Sequence, residues 1–382
     1  MVGSVRRLAR FPRFLAALVA AAVGVTLALQ PGTPKTADAD CAFPFTPTSY
    51  EDLKNRQLFL NTIELASFDM LFPGDAYFGL GQIETGPRTS RKTEAAKVPP
   101  VLLKSIAWIE SSITQGDVPT PFGSIGPSLI SFDCGHGVTQ VTTGMTVPNG
   151  ESGRGSPQQA LVATNFAYNI ARGARILVDK WNQAPEDRPI VGTDTGGSPL
   201  LLENWYYAVW SYNGFTGPGA NRSNHPMDPV FGTWPRPGYS CGSTGDGKGH
   251  NRANYPYQEL VVGCAVNPPV VEGKALWGSQ VVSLPDLNHP SFKDKLDLKN
   301  FVFPYAGMDI PTPQSFHQDT TPKPNSSLRS QILGSPSMGI SRNDVSVGVS
   351  ADGGSSVEIV EVTNGGTGVL SWYATTSSAW LK

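Results

Sequence analysis

The chain has 382 residues, with 31 acidic against 29 basic side chains and a formal charge of −2. That balance excludes the clustered basic surface a phosphate backbone requires, so no nucleic-acid partner is expected. Forty-one glycines and 33 prolines foretell long loops, while the length suffices for one buried core and an appendage.

The first segment reads as an export signal. Arg6, Arg7, Arg10 and Arg13 precede a weakly polar run from Phe14 to Leu29, the order of a basic and then an apolar region in a secretory leader. The run falls short of the roughly 20 residues that cross a bilayer comfortably, although an uncleaved anchor is the alternative. Ala37-Asp38-Ala39 offers the small residues a signal peptidase accepts, so residues 1–39 are expected to be removed and the mature chain to be secreted from Asp40 onward. Removal takes away five basic residues and one acid, moving the formal charge from −2 to −6.

Four cysteines remain, Cys41, Cys134, Cys241 and Cys264. An even count outside the cytosol favours disulfides over thiol chemistry. A Cys241–Cys264 bridge would close a glycine-rich loop that has few apolar residues to hold it, which leaves Cys41–Cys134 as the second pair. No pair has metal-ligand spacing, and neither metal nor cofactor is expected.

The next elements are mostly helical. Ser49 and Asp52 look like a capping pair for a helix to Leu65, with Leu53, Leu60 and Ile63 at near-helical intervals. Gly86-Pro87 and the polar run Arg88–Lys97 read as a loop. Pro99-Pro100 opens a second helix, because a proline in the first turn lacks only an N–H that would be unbonded anyway. Leu102, Ile106, Ile109 and Ile113 form its stripe. Thr120–Gly137 reads as loop. Phe166, Ile170, Leu177 and Trp181 mark a third helix. Ser198-Pro199 caps a fourth, which stops at Asn213-Gly214. Tyr255–Cys264 is the last.

Residues 304–340, rich in proline, serine and threonine, read as a linker. Beyond them Ser346–Val349, Val357–Val360 and Leu370–Ala374 have strand texture, with a turn at Asn364-Gly365-Gly366. The domain reading is therefore a signal over 1–39, a mainly α domain with long loops over 40–303, a linker over 304–340 and a partial β module over 341–382.

One carboxylate stands out. Glu110 lies seven residues after Leu103 and three after Ala107, so it shares their helix face. A carboxylate at the end of an apolar helix is partly desolvated, which raises its pKa. Glycosidic cleavage needs such a group, still protonated near neutrality, to protonate the leaving oxygen.

Its surroundings sharpen the reading. The segment Leu102–Ser112 (LLKSIAWIESS) resembles that of soluble lytic transglycosylases and goose-type lysozymes, in which the catalytic glutamate precedes a serine. Gly137-Val138-Thr139-Gln140 is similar to the family's glycine-leucine-methionine-glutamine segment, with Val138 and Thr139 in the middle positions. Asn169-Ile170 with Gly173, Ala174 and Leu177 resembles its next helix, and Tyr212-Asn213-Gly214 its tyrosine-asparagine-glycine segment. Four motifs in order span about Pro99 to Gly214. The resemblance implies a lysozyme-like fold and cleavage of the β-1,4 bond between N-acetylmuramic acid and N-acetylglucosamine in peptidoglycan, leaving 1,6-anhydromuramyl ends. Glu110 would be the general acid and then base. Ser111 would bond near the glutamate and sugar, Gln140 would line the groove, and Tyr212 with Asn213 would position the glutamate and the muramyl unit. Peptidoglycan glycan strands are the implied partner, with no obligate protein partner evident.

Departures matter too. An insertion through Asp133-Cys134-Gly135-His136 precedes the Gln140 segment. Asp133 could serve as a second carboxylate in a muramidase or chitinase-like hydrolase on the same fold; its bland reading is a loop or capping residue, and that of His136 a loop histidine. A catalytically silent glycan-binding wall protein is the alternative outside enzymes. The tail, through Val362–Gly368, Leu370-Ser371-Trp372 and Trp380-Leu381, resembles the first half of a BACON-type, immunoglobulin-like module, in which Trp372 would be a core aromatic or a sugar platform. Two sheets are needed to close such a module, so the chain is expected to be a fragment of a longer protein or its tail to be poorly ordered.

Overall fold

The computed structural model describes residues 6–10, 41–43, 46–86, 90–146, 155–183, 197–217, 223–241, 251–289, 316–346, 348, 358–372 and 374. The expected leader run Phe14–Leu29, its cleavage site at Ala39, the 303/304 boundary and Trp380-Leu381 lie outside them.

Seven α-helices are described: α1 (Gln57–Ser67), α2 (Pro100–Ser111), α3 (Pro157–Thr164), α4 (Phe166–Asn182), α5 (Tyr206–Tyr212), α6 (Tyr257–Val266) and α7 (Ser327–Leu333). Small strand pairs accompany them, so the described architecture is a mixed α/β one with a helical core. Strand β1 (Arg6–Arg10) comes first in the chain. Then β2 (Thr48–Tyr50) pairs with β5 (Ile125–Pro127), β3 (Gln82–Thr85) with β4 (Lys92–Ala95), and β6 (Val270–Val271) with β7 (Lys274–Ala275), all antiparallel. A three-stranded sheet runs β1–β9–β8, with β8 at Met338–Ile340 and β9 at Ile359–Asn364. In it Arg6 pairs in parallel with Ile359, and Gly339 pairs antiparallel with Thr363.

The helix starts follow their local chemistry. Pro100 takes the first position of α2. The Asn165 side chain accepts the Ala167 N–H to cap α4. Ser156 and Gln159 form a reciprocal capping box on α3, a helix missing from the sequence reading although its serine-x-x-glutamine signature was present. The helix expected from Ser49 begins instead at Gln57. Ser49 and Tyr50 are drawn into β2, and Asp52 reaches forward to accept the Phe59 N–H at 3.2 Å. The capping carboxylate was legible, but the loop between it and the helix was not. Likewise β3 and β4 form a hairpin where a loop was expected: every residue of β4 is exposed, so it carries no alternation to read.

The core lies where α1, α2, α4 and α6 meet. Phe59 and Ile63 of α1, Leu103 and Ile106 of α2, and Ile170, Leu177 and Trp181 of α4 are each fully withdrawn from water, and such side chains contribute about 1.5–3 kcal/mol each by burial. Trp181 packs on Trp205 with ring centroids 4.6 Å apart.

Part of the expected linker is laid along this core. Leu202 donates to the His317 carbonyl at 2.8 Å, Asp319 accepts the Val101 N–H at the start of α2, and Arg329 of α7 donates to the Leu71 carbonyl. Ile332 is 4 % exposed in the main cluster. This stretch docks through a backbone bond, the Asp319 and Arg329 side chains and a short helix, which composition does not report. In the tail, β9 overlaps the expected strand and Asn364 Oδ1 accepts the Gly366 N–H in the expected turn. Residues 370–372 are not a strand, and Trp372 is half-buried.

Candidate active site

Glu110 occupies the last turn of α2 and is half-buried. The helix ends abruptly: Ser112 and Ile113 both adopt left-handed backbone, φ 58°, and return their N–H groups to Trp108 and Ala107 at 2.9 and 3.0 Å. Glu110 therefore sits beside the partial negative charge of a helix C-terminus, which disfavours ionisation.

One strong donor meets it. The Tyr257 hydroxyl donates to Glu110 Oε1 at 2.5 Å. Tyr257 is the buried first residue of α6, which packs along α2. Burial, with the Glu110 charge beside it, holds the phenol protonated, its pKa well above the ordinary value. Arg252, just before α6, donates to the Ile109 carbonyl. Burial pushes the Glu110 carboxyl up to about 7; Tyr257 and Arg252 pull it down, and Asp133 adds to the rise.

The segment 136–141 lies against the end of α2. Asn169 of α4 fastens it: Thr139 N–H donates to Asn169 Oδ1 at 2.9 Å, and Asn169 Nδ2 donates to the His136 carbonyl at 2.6 Å. A Cβ on Gly173 would come within 2.4 Å of Thr139 Oγ1, so glycine is needed where helix and segment touch. Ser111 Oγ donates to the Val138 carbonyl at 2.7 Å and accepts the Thr114 N–H. It ties the end of α2 to this segment.

The remaining residues implied by the resemblance are spread around this frame. Tyr212, at the end of α5, donates to the Thr139 carbonyl at 2.8 Å; burial and the neighbouring Glu110 charge raise its pKa. Gln140 adopts φ 46° and folds its amide back to the Gly137 carbonyl at 2.9 Å. Asn213 is exposed, and its Oδ1 accepts from Asn224 at 3.0 Å. Thus Tyr212 comes near Glu110, Ser111 ends α2 and bonds to the 136–141 segment, Gln140 lies on that segment, and Asn213 bonds to the 223–224 loop.

Asp133 is exposed on the inserted loop and accepts from Ser131 Oγ at 2.5 Å. His136 is no open loop histidine. It is fully buried with Nδ1 2.6 Å from the Cys134 carbonyl, and burial lowers its pKa to about 4, so it stays neutral. Both expected disulfides are present, Cys41–Cys134 with Cα atoms 5.4 Å apart and Cys241–Cys264 with 5.0 Å. The first braces the loop of Asp133 and the second braces α6. The pair points to an extracytoplasmic location, and no helix among the described residues is long and apolar enough to cross a membrane.

No family model, curated protein or solved structure matches the chain. Among the described residues no cluster of three potential metal ligands exists. A small, partly open pocket bordered by Leu102, Leu202, Trp205 and Val209 lies away from the acid, its Leu102 wall eight residues, roughly 12 Å, along α2 from Glu110.

Tyr257 and Arg252 were absent from the sequence reading. Tyr257 stands 147 residues after Glu110. Its only local signal was Tyr255-Pro256-Tyr257 ahead of an apolar helix, which marks a helix start and not a partner for Glu110.

Proposed function

We propose that the chain cleaves glycosidic bonds of peptidoglycan glycan strands on a lysozyme-like scaffold, with Glu110 as general acid and then general base. The observation that carries this reading is the state of Glu110: a half-buried carboxyl held by one tyrosine hydroxyl, with a pKa raised to about 7. A group that titrates near neutrality can give a proton in one step and take one in the next.

In the first step the Glu110 carboxyl protonates the oxygen leaving C1 of the muramyl unit, and the C1–O bond breaks with positive charge building on the ring. In the second, the C6 hydroxyl of the same sugar bonds to C1 and its proton passes to the Glu110 carboxylate. The ring closes as a 1,6-anhydro product. Tyr257 steadies the carboxylate between the steps. Tyr212, bonded to the Thr139 carbonyl, supports the face across which the sugar lies. Secretion with the expected leader removed would bring the protein to its substrate, and the two disulfides suit that compartment.

A second reading rests on Asp133, the exposed carboxylate whose charge Glu110 feels. An inverting hydrolase uses a second carboxylate about 6.5–9.5 Å from the acid to activate water. Mass spectrometry of muropeptides released by the purified protein separates the two. Anhydro ends with Asp133→Asn active support intramolecular attack; reducing ends with Asp133→Asn inactive support hydrolysis. Release of no fragment from peptidoglycan overturns both.

A further inference from the structure

Among the described residues Arg172 is a cation without an anion. It lies on α4 three residues after Asn169 and directly before Gly173, the two positions that seat Thr139 beneath Tyr212. Its Nη1 donates to the Tyr77 carbonyl at 3.2 Å, and its guanidinium carbon stands 4.1 Å from the centre of the Tyr77 ring. Its Nε is buried and has no hydrogen-bond partner. Among the described residues no carboxylate pairs with it, whereas Arg56, Arg175 and Arg236 each have one.

Stacking on Tyr77 fixes the plane of the guanidinium and one N–H is used on a carbonyl. The rest of the five-donor fork is left over. A desolvated donor with nothing to meet is unfavourable, and a flat fork stacked on an aromatic ring is the form that suits carboxylate recognition. The Tyr77 hydroxyl also stands 3.4 Å from where a Cβ on Gly144 would be, so the ring and the guanidinium reach the chain just beyond Gln140. Tyr212 feels the charges of both Arg172 and Glu110, which puts the cation within electrostatic reach of the proposed cleavage site.

We propose that Arg172, stacked on Tyr77, is a carboxylate-binding subsite of the glycan groove, taking a carboxylate carried by the muramyl unit through charge-assisted hydrogen bonds. This rests on the reading of the chain as a glycan-cleaving enzyme. Two sources offer that carboxylate: the lactyl group, free on strands stripped of their peptides, or the acidic residues of an attached stem peptide. Neutral oligomers of N-acetylglucosamine offer neither.

The test is equilibrium binding by calorimetry in a Glu110→Gln background, so that no strand is cut, with peptide-free glycan, peptide-bearing glycan and an N-acetylglucosamine tetramer. Adding Arg172→Gln is expected to weaken the recognised strand about 10- to 100-fold, to leave the neutral tetramer unchanged, and to leave the melting temperature close to that of the parent. Arg172→Lys, which keeps the charge and loses the fork, should recover only part. Loss on peptide-free strands assigns the lactyl group, loss on peptide-bearing strands the stem peptide, and loss on both assigns either carboxylate; each supports the subsite. Unchanged affinity for both charged strands overturns the subsite while leaving the cleavage reading in place. Equal loss on the neutral tetramer also overturns it, since Arg172 would then only be holding the fold. If the parent binds no glycan at all, the cleavage reading and the subsite fall together.

Discussion

Glu51 and Glu110 are two carboxylates withdrawn from water in one domain, and they are treated in opposite ways. Glu51 is 2 % exposed and saturated with donors: Asp52 at 3.0 Å, Gln115 at 2.9 Å and Gly116 at 2.8 Å through their N–H groups, and the Arg56 guanidinium. Among the described residues Glu110 receives one side-chain hydrogen bond, from a neutral phenol. Burial raises both pKa values, but at Glu51 four donors oppose it. A carboxylate ringed by donors is a fastener. One left short of donors is ready for proton transfer. The two are also connected, because Glu51 grips Gln115 and Gly116 just after the turn that ends the Glu110 helix.

The largest effect is expected at Glu110. Glu110→Gln keeps the shape and removes the proton, so glycan cleavage should fall about 10²–10⁴-fold, measured as muropeptide release. Retained wild-type activity would break the contrast at its root.

Glu51→Ala should act on the fold instead. It leaves Arg56, 6 % exposed, without its partner, and losing one member of a buried pair costs about 3–5 kcal/mol. Urea unfolding should record that loss. A variant as stable as the parent would mean that Glu51 is no fastener.

The pH dependence of stability sharpens the comparison. The Glu110 pKa rises from 4.5 unfolded to about 7 folded, so the folded state binds the proton more tightly. Stability from this group is full below pH 4.5 and declines as pH rises to about 7. Glu110→Gln should match the parent at pH 4 and exceed it at pH 8, by up to about 3 kcal/mol. Parallel stability curves for the two proteins would contradict the raised pKa.

Tyr257→Phe is the smallest change. It removes the hydrogen bond that pulls the Glu110 pKa down, so the alkaline limb of the pH–rate profile should move to higher pH. Activity at neutral pH should fall about 3- to 10-fold as the carboxylate loses its anchor. An unmoved limb would remove Tyr257 from the site.

The candidate acid was legible from sequence because its signals are local. Glu110 ends a helix whose start Pro100 announces and whose apolar face Leu103 and Ile106 define, and a helix carries its own face along the chain. The amphipathic stripe of α4 was legible for the same reason. The cysteine pairing followed from an even count and the need to close a loop. Local order also misled: Ser49 and Asp52 looked like neighbours in one cap, but Ser49 is claimed by a strand pairing with Gly126.

By itself the sequence determined which residue is acidic at the end of an apolar helix, where most of the core helices run, and which cysteines could pair. Tertiary structure decided what that acid touches. Tyr257 meets Glu110 across 147 residues, Gln115 meets Glu51 across 64, and the segment around Thr139 is set by Asn169 on another helix. The reason is physical. A helix start or an amphipathic face is fixed by interactions over a few residues, whereas a pKa is fixed by burial and by donors that arrive only when distant elements pack.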